Sequence, residues 1–170
     1  MKARILVAAL SLSAAGLIGL VQHEGYTDRA VIPTKGDVPT VGFGSTKHPT
    51  GEAVQMGDRT DPVRALVAAG AHIGADEARF RASLPGVALT QGEYDLYLDF
   101  LYQYGSGNWS QSSMRRHLLA GRYREACDAL LAWRKQAGRD CSLPSNWGPK
   151  GCKGVWTRQQ QRHAKCVAEQ

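Results

Sequence analysis

The chain predicts a mainly helical α+β fold, with a small two- or three-stranded β-ribbon between a first helix and a helical lobe. Three observations predict it. An apolar, helix-compatible run ends at Glu24-Gly25. The stretch Thr40-Val41-Gly42-Phe43-Gly44-Ser45 alternates as a strand does, with glycines where a bulky ligand could approach the backbone. Beyond it, apolar residues recur at helical spacing between capping residues. At 170 residues the chain makes one domain with enough length for a proper core, and its 43% apolar content is ordinary for a globular protein.

Lys2 and Arg4 precede Ile5–Val21, 17 residues without a charge. This is the positive flank and apolar core of an export signal. The run is at the lower limit for spanning a bilayer, and its many Ala, Gly and Ser residues make it only weakly hydrophobic. Ser13-Ala14-Ala15 fits a small-x-small cleavage site. Cleavage there would leave only Gly16–His23 ahead of Glu24, too short for a stable helix to carry that residue.

A carboxyl at the mouth of an apolar helix can be held protonated, because burial disfavours its charged form. It can then donate a proton to a leaving oxygen. A ribbon opposite it, carrying a hydroxyl and a second carboxylate, can hold an attacking water, which is the layout of an inverting glycosidase. Thr40 supplies the hydroxyl and Asp37 the carboxylate. The plainer alternatives are that Glu24-Gly25 is a helix end and that Asp37 makes a Lys-Gly-Asp turn.

After a polar, Gly-rich loop over Lys47–Gly57, Thr60 or Asp61 caps a helix with Pro62 in its first turn. Val63, Leu66, Val67, Ala71 and Ile73 form its expected apolar face, as far as about Leu84. Pro85–Leu89 connects to Thr90-Gln91-Gly92-Glu93, a capping box. The helix that follows is apolar nearly all round (Tyr94, Leu96, Tyr97, Leu98, Phe100, Leu101, Tyr102), so it is expected to be the buried central one. It ends at Gln103-Tyr104-Gly105-Ser106-Gly107-Asn108. Ser112 or Ser113 starts a helix over Met114–Ala120, Tyr123–Gln136 forms another with Ala126, Leu130, Leu131 and Trp133 on one face, and Gly154-Val155-Trp156 begins the last. Trp109, Trp147 and Trp156 are read as buried or loop-anchoring in preference to sugar-stacking.

Cys127, Cys141, Cys152 and Cys166 form an even set beyond an export signal, which suggests disulfides in an oxidising compartment. Three pairings are possible. The favoured one joins Cys141 to Cys152, closing the Gly/Pro/Asn-rich loop Ser142–Gly151, and Cys127 to Cys166, tying two helices. Zinc is the competing reading, but the spacings lack a C-x-x-C and only His163 lies nearby, so no metal is expected. The net charge of +6 points to a polyanionic partner such as nucleic acid, anionic lipid or the bacterial wall. Scattered Lys and Arg without a nucleic-acid fold signature argue against the first.

Glu24-Gly25 and Thr40-Val41-Gly42-Phe43-Gly44 resemble the site of the phage-type lysozymes (glycoside hydrolase family 24). That site reads Glu-Gly, then Ala-Tyr-x-Asp-x-x-Gly, then x-x-Thr-[IV]-Gly-x-Gly. The middle departs from it: Ala30-Val31-Ile32-Pro33 puts Pro33 where the family has Asp, and an extra residue, Asp37, stands between Gly36 and Val38. The resemblance implies hydrolysis of peptidoglycan by Glu24 as acid, with Thr40 and Asp37 orienting water and no cofactor. It implies sugar contacts from Gly42, Phe43, Gly44 and Gln103, where the family carries Asn or Gln before x-Gly. Arg158 matches the first Arg of the family's final-helix pair, in a packing role, and Gln159 departs from the second. Residues 1–21 resemble the anchor of signal-anchor-release endolysins, whose second half is also the first helix of a lysozyme domain over 17–170. The implied protein is a monomer tethered to the host inner membrane through Ile5–Val21, facing the periplasm, and active there on release. Two alternatives from other classes are a non-catalytic wall-binding protein on this scaffold and a membrane-disrupting cationic N-terminus.

Overall fold

The computed structural model describes residues 2–33 and 36–170, the side chains of His23 and Glu24 excepted. The chain forms two units, one of Leu12–Arg79 and the other of Met1–Ser11 with Phe80–Gln170.

In the unit of Leu12–Arg79, α1 (Ala14–Glu24) begins where Ser13 Oγ accepts a hydrogen bond from Gly16 N at 2.9 Å. It ends before Gly25, whose φ of 70° with ψ of 173° is a backbone conformation that glycine adopts readily and other residues rarely do. The expected ribbon follows. β2 (Thr27–Val31) and β3 (Thr40–Gly42) run antiparallel, with Thr27 opposite Gly42 and Val31 opposite Thr40 across a register shift. Ala30 N and Asp28 O bond instead to Asp58 O (2.9 Å) and Thr60 N (3.0 Å), which adds a third short segment to the ribbon. Ala30, Val41 and Val54 make its core.

α2 (Pro62–Ala82) is capped by Asp61, whose Oδ1 accepts from Arg64 N at 2.9 Å. Its buried face corrects the expectation. Ala65, Ala69, Ile73 and Phe80 are buried, while Val63, Leu66 and Val67 remain 70%, 39% and 60% exposed, and Ala71 is exposed as well. The reason is steric: β3 comes so close at Gly42 that the helix must turn a small residue, Ala65, toward it.

In the helical unit, α3 (Gln91–Gln111) starts from the full capping box expected at Thr90 and Glu93. Tyr94, Tyr97, Leu98, Phe100 and Leu101 are completely buried along it. Gly105, at φ 83° and ψ 156°, breaks the helix where its end was expected, and a further turn resumes through Gln111. Trp109 is buried, donates its indole N–H to Ser83 Oγ at 2.8 Å, and packs on Phe80 and Tyr97. Ser112 caps α4 (Ser113–Leu119).

α5 spans only Tyr123–Ala129, followed by a 3-10 turn at Leu130–Ala132, so the single helix expected over Tyr123–Gln136 does not form. Instead β5 (Lys135–Gln136) and β6 (Arg139–Asp140) make a hairpin. Its two turn residues, Ala137 and Gly138, have φ of 48° and 77°, the double left-handed turn that matches strand twist. α6 (Lys153–Ala168) completes the unit. Arg158 and Arg162 of α6 both pair with Asp99 of α3 at 2.6 Å, the packing role expected of Arg158, and Gln159 donates to the Tyr104 hydroxyl at 2.7 Å. The disulfides join Cys127 to Cys166 and Cys141 to Cys152, the favoured pairing, and consume the thiols that zinc would need.

The uncharged N-terminal run is not one continuous element. β1 (Ile5–Leu6) pairs antiparallel with β4 (Ala88–Leu89), and a 3-10 turn follows at Val7–Ala9. The helix starts at Ala14 and runs through Leu17–Val21, as the resemblance implies. Among the described residues no helix is long and apolar enough to cross a membrane. Arg4 is fixed by a two-pronged ion pair to Glu93, at 2.8 and 3.0 Å, and its guanidinium lies 3.9 Å from the Tyr123 ring centre. Lys2 pairs with Glu169. Because Glu93 is 1% exposed, losing its partner strands a buried carboxylate. Arg4→Met is therefore expected to lower unfolding free energy by about 3 kcal/mol in urea titrations. Adding Glu93→Gln should recover part of that loss.

Candidate active site

Glu24 is the last residue of α1, and its side chain lies outside the described residues. Asp37 is exposed, and its Oδ1 accepts from Val38 N at 2.9 Å, the local contact of a turn. Thr40 opens β3 half-buried, donating from Oγ1 to Val31 O at 3.4 Å. All three belong to the unit of Leu12–Arg79, as do Gly42, Phe43 and Gly44. Gln103 belongs to the helical unit, on α3. Its Oε1 is buried and accepts no hydrogen bond within the described residues.

The glycines of the β3 turn have different jobs. Gly42 has φ of 68°, and a Cβ there would stand 2.8 Å from Ala65 Cβ. The space left by its missing side chain is taken up by α2, so the close approach first read as room for a ligand is in this position an approach of helix to strand. Gly44, with φ of 74°, turns the chain so that Val41 and Ser45 exchange both backbone hydrogen bonds at 3.0 Å.

Several residues with no role assigned from sequence hold the ribbon. Tyr26 packs its ring on Phe43 at 5.4 Å and points its hydroxyl at Thr60 O. His48 Nε2 and Asp58 Oδ2 lie 2.9 Å apart, and the same carboxylate accepts from Gln55 N at 2.8 Å. The Gln55 N–H and then His48 hold the Asp58 carboxyl below the usual carboxylate range. A Tyr one residue past Glu-Gly, with a Phe between two glycines, was the available signal for the first pair. The second pair joins two ends of a loop and left no local pattern. A groove of about 380 Å³ on this unit is walled by Val41, His48, Arg59, Val63 and Val67, among others, and does not include Asp37, Thr40 or Phe43. Among the described residues no cluster of three or more His, Cys, Asp or Glu can hold a metal ion.

The family model for phage lysozyme matches residues 21–145. The endolysin of Salmonella phage P22 is 28% identical over 131 residues, covering 77% of this chain and 88% of its own length. The SAR-endolysin of Enterobacteria phage H19B is 38% identical over 63 residues, covering 37% of this chain and 33% of its own. Among solved structures, an endolysin from Escherichia coli O157:H7 phage FAHEc1 superposes with a TM-score of 0.76 at 22% identity, over 94% of each chain. That likeness carries the fold.

Gly42→Ala should be among the most damaging single-methyl additions in this unit. It combines left-handed strain with overpacking against Ala65, for an expected loss of about 2 to 4 kcal/mol by thermal or denaturant unfolding. Ala65→Gly in the same chain should return the overpacking part and leave the strain.

Proposed function

The chain belongs to the phage lysozyme family, and on that premise we propose that it is an endolysin. Its reaction is hydrolysis of the β-1,4 bond between N-acetylmuramic acid and N-acetylglucosamine in bacterial peptidoglycan. The observation that carries this is that Glu24-Gly25 and Thr40–Gly44 both fall inside the matched segment, with the family's residue types at those places.

Glu24 gives its proton to the leaving glycosidic oxygen. Its position as the last residue of α1, directly before Gly25 and the ribbon that carries Thr40, supports that role. Thr40 positions a water on the opposite face of the sugar, and Asp37 takes the water's proton as its oxygen bonds to the anomeric carbon. The configuration inverts. Asp37 stands in for the family Asp replaced by Pro33; it lies three residues before Thr40 in the loop that leads into β3. Gln103 supports substrate binding through its unfilled buried acceptor, suited to the N–H of a sugar acetamide. The glycine-flanked turn around Phe43 follows Thr40 directly on the same unit and supplies further sugar contacts in this reading.

In this reading the enzyme acts as a monomer, and it reaches the host inner membrane through Ile5–Val21. Tethered there it faces the periplasm without activity, and it folds into its active form on release. The partial match to a protein named SAR-endolysin supports the tether. So does the composition of the run. Ile5, Leu6 and Ile18 stay 53%, 56% and 53% exposed in the folded chain, where they add little to a core but would each favour lipid. The two states exclude one another, because Val7, Leu10 and Leu20 are buried in the fold. Removal of residues 1–15 would also delete Arg4, β1 and the Ser13 cap, which argues against cleavage at Ala15.

Clearing of outer-membrane-permeabilised Gram-negative cells tests the catalytic assignment. Wild type should lyse, Glu24→Gln should lose about a hundredfold or more, and Asp37→Asn should fall sharply with Thr40 intact. Equal clearing by all three would overturn the enzyme reading in favour of membrane disruption. A product with retained configuration would overturn the assigned roles. For the tether, N-terminal sequencing of the released, active enzyme from expressing cells should find residues 1–15 present. An active species that begins at Gly16 would refute the refolding switch.

A further inference from the structure

Segment 134–153 carries most of the chain's excess charge. It contains Arg134, Lys135, Arg139, Lys150 and Lys153 with one acid, Asp140, for a net +4 of the chain's +6. That acid is already engaged: Asp140 accepts from the hydroxyl and backbone N–H of Ser142 at 2.7 and 3.0 Å and pairs with Arg134 at 3.2 Å. The segment also has a fixed shape. The β5–β6 hairpin leads into a loop closed by Cys141–Cys152 and cross-braced by Asn146 Nδ2 to Asp140 O at 2.8 Å and Cys152 N to Asn146 O at 2.9 Å. Gly151 packs so tightly that a Cβ would sit 2.5 Å from Asn146 O.

At the tip of this loop Trp147 is 37% exposed, and Leu143 is 50% exposed nearby in sequence. The indole N–H is spent on Cys141 O at 2.9 Å, so the ring offers solvent only its apolar surface. Lys153 Nζ stands 4.7 Å from the ring centre, and Arg139 donates to Lys150 O at 3.2 Å. Arg139, Trp147 and Lys150 border one open groove of about 460 Å³. Cations around a rigid, half-exposed Trp are the side-chain set that settles at a bilayer's headgroup level. A neutral glycan is a poorer match, because Lys153 stands over a face on which a sugar would stack and no carboxylate lines the groove to receive its hydroxyls.

We propose that this disulfide-closed loop is a second attachment surface, which docks the folded protein on an anionic phospholipid bilayer. Arg139, Lys150 and Lys153 meet the headgroup phosphates, and Trp147 sits among the headgroups. Trp147, Lys150 and Lys153 lie beyond residue 145, where the family match ends. The surface is separate from Ile5–Val21 and depends neither on an inserted N-terminus nor on the hydrolytic reading.

The test is co-sedimentation of the folded, full-length protein with vesicles at low salt, comparing phosphatidylcholine alone with phosphatidylcholine plus phosphatidylglycerol. Wild type should bind only the phosphatidylglycerol vesicles. Arg139→Gln/Lys150→Gln/Lys153→Gln should lose about tenfold or more in affinity while wall hydrolysis and circular dichroism stay unchanged. Trp147→Phe should abolish the blue shift of tryptophan emission that wild type shows on those vesicles. Binding to both lipids alike, to neither, or unaltered in the triple variant would overturn the proposal. So would a triple variant that keeps its vesicle binding but loses retention on purified sacculi, which would make the loop a wall contact.

Discussion

A buried carboxylate needs a fixed cation, and the one that serves Glu93 comes from the far end of the chain. Glu93 is committed to the start of α3, where its carboxylate receives the Thr90 backbone N–H at 2.9 Å. Among the described residues it is Arg4, with Gln170 beside it, that compensates the charge. Arg4 and Gln170 are thereby both tied to the N-terminus of the central helix. Glu169 repeats the arrangement one layer out, accepting from the Thr90 hydroxyl at 2.6 Å and from Lys2. Once Arg4 is held, β1 lies beside β4 and Val7 enters the core. The helical unit therefore has its N-terminal strand as an integral part.

In the other unit the governing constraint is steric. β3 can approach α2 only because residue 42 has no side chain and residue 65 has almost none. That contact fixes the rotation of α2 and leaves Val63 and Val67 on the outside. It also sets the level of Thr40, two residues earlier on the same strand, and of Phe43, whose ring is steadied by Tyr26. A family pattern of Thr-Val-Gly-x-Gly thus combines two demands. The threonine opens the strand with its hydroxyl on Val31 O, and the first glycine serves packing.

What was legible in the sequence follows the same division. Capping is local chemistry written in a few neighbouring residues: the box at Thr90 could be read directly, and at the next two caps the choice narrowed to a pair of neighbours, of which Asp61 and Ser112 do the capping. The disulfide pairing was one of three that the sequence allows, favoured because the loop Ser142–Gly151 is short, and it is the one formed. The apolar stripe of α2 was misread because spacing alone does not say which side a neighbouring strand will approach, and the decisive residue, Gly42, lies twenty residues away. The β5–β6 hairpin was hidden because Ala137-Gly138 is a weaker turn signal than Asn-Gly, and helical spacing of Leu130, Leu131 and Trp133 ran on into it. Strand β1 left no trace, since its partner comes more than eighty residues later. Of the proposed site, Glu24 and Thr40 stood out by motif, whereas the His48–Asp58 brace depends on a loop closing on itself.

The N-terminal run departs in two ways from what its folded position alone requires. Gly19 lies inside α1, where glycine costs about 0.5 to 1 kcal/mol relative to alanine. Among the described residues nothing stands within 4 Å of where its Cβ would be, so no packing contact seen there requires the glycine. A helix shaped only for the folded enzyme would carry alanine there. The exposed Ile5, Leu6 and Ile18 depart in the opposite sense, being more apolar than their folded positions need. Both departures are what the proposed tether would require. Large side chains would favour entry into lipid, and a glycine would lower the cost of leaving it. On the side of the fold stands the Arg4–Glu93 pair, which holds the N-terminus against the start of α3.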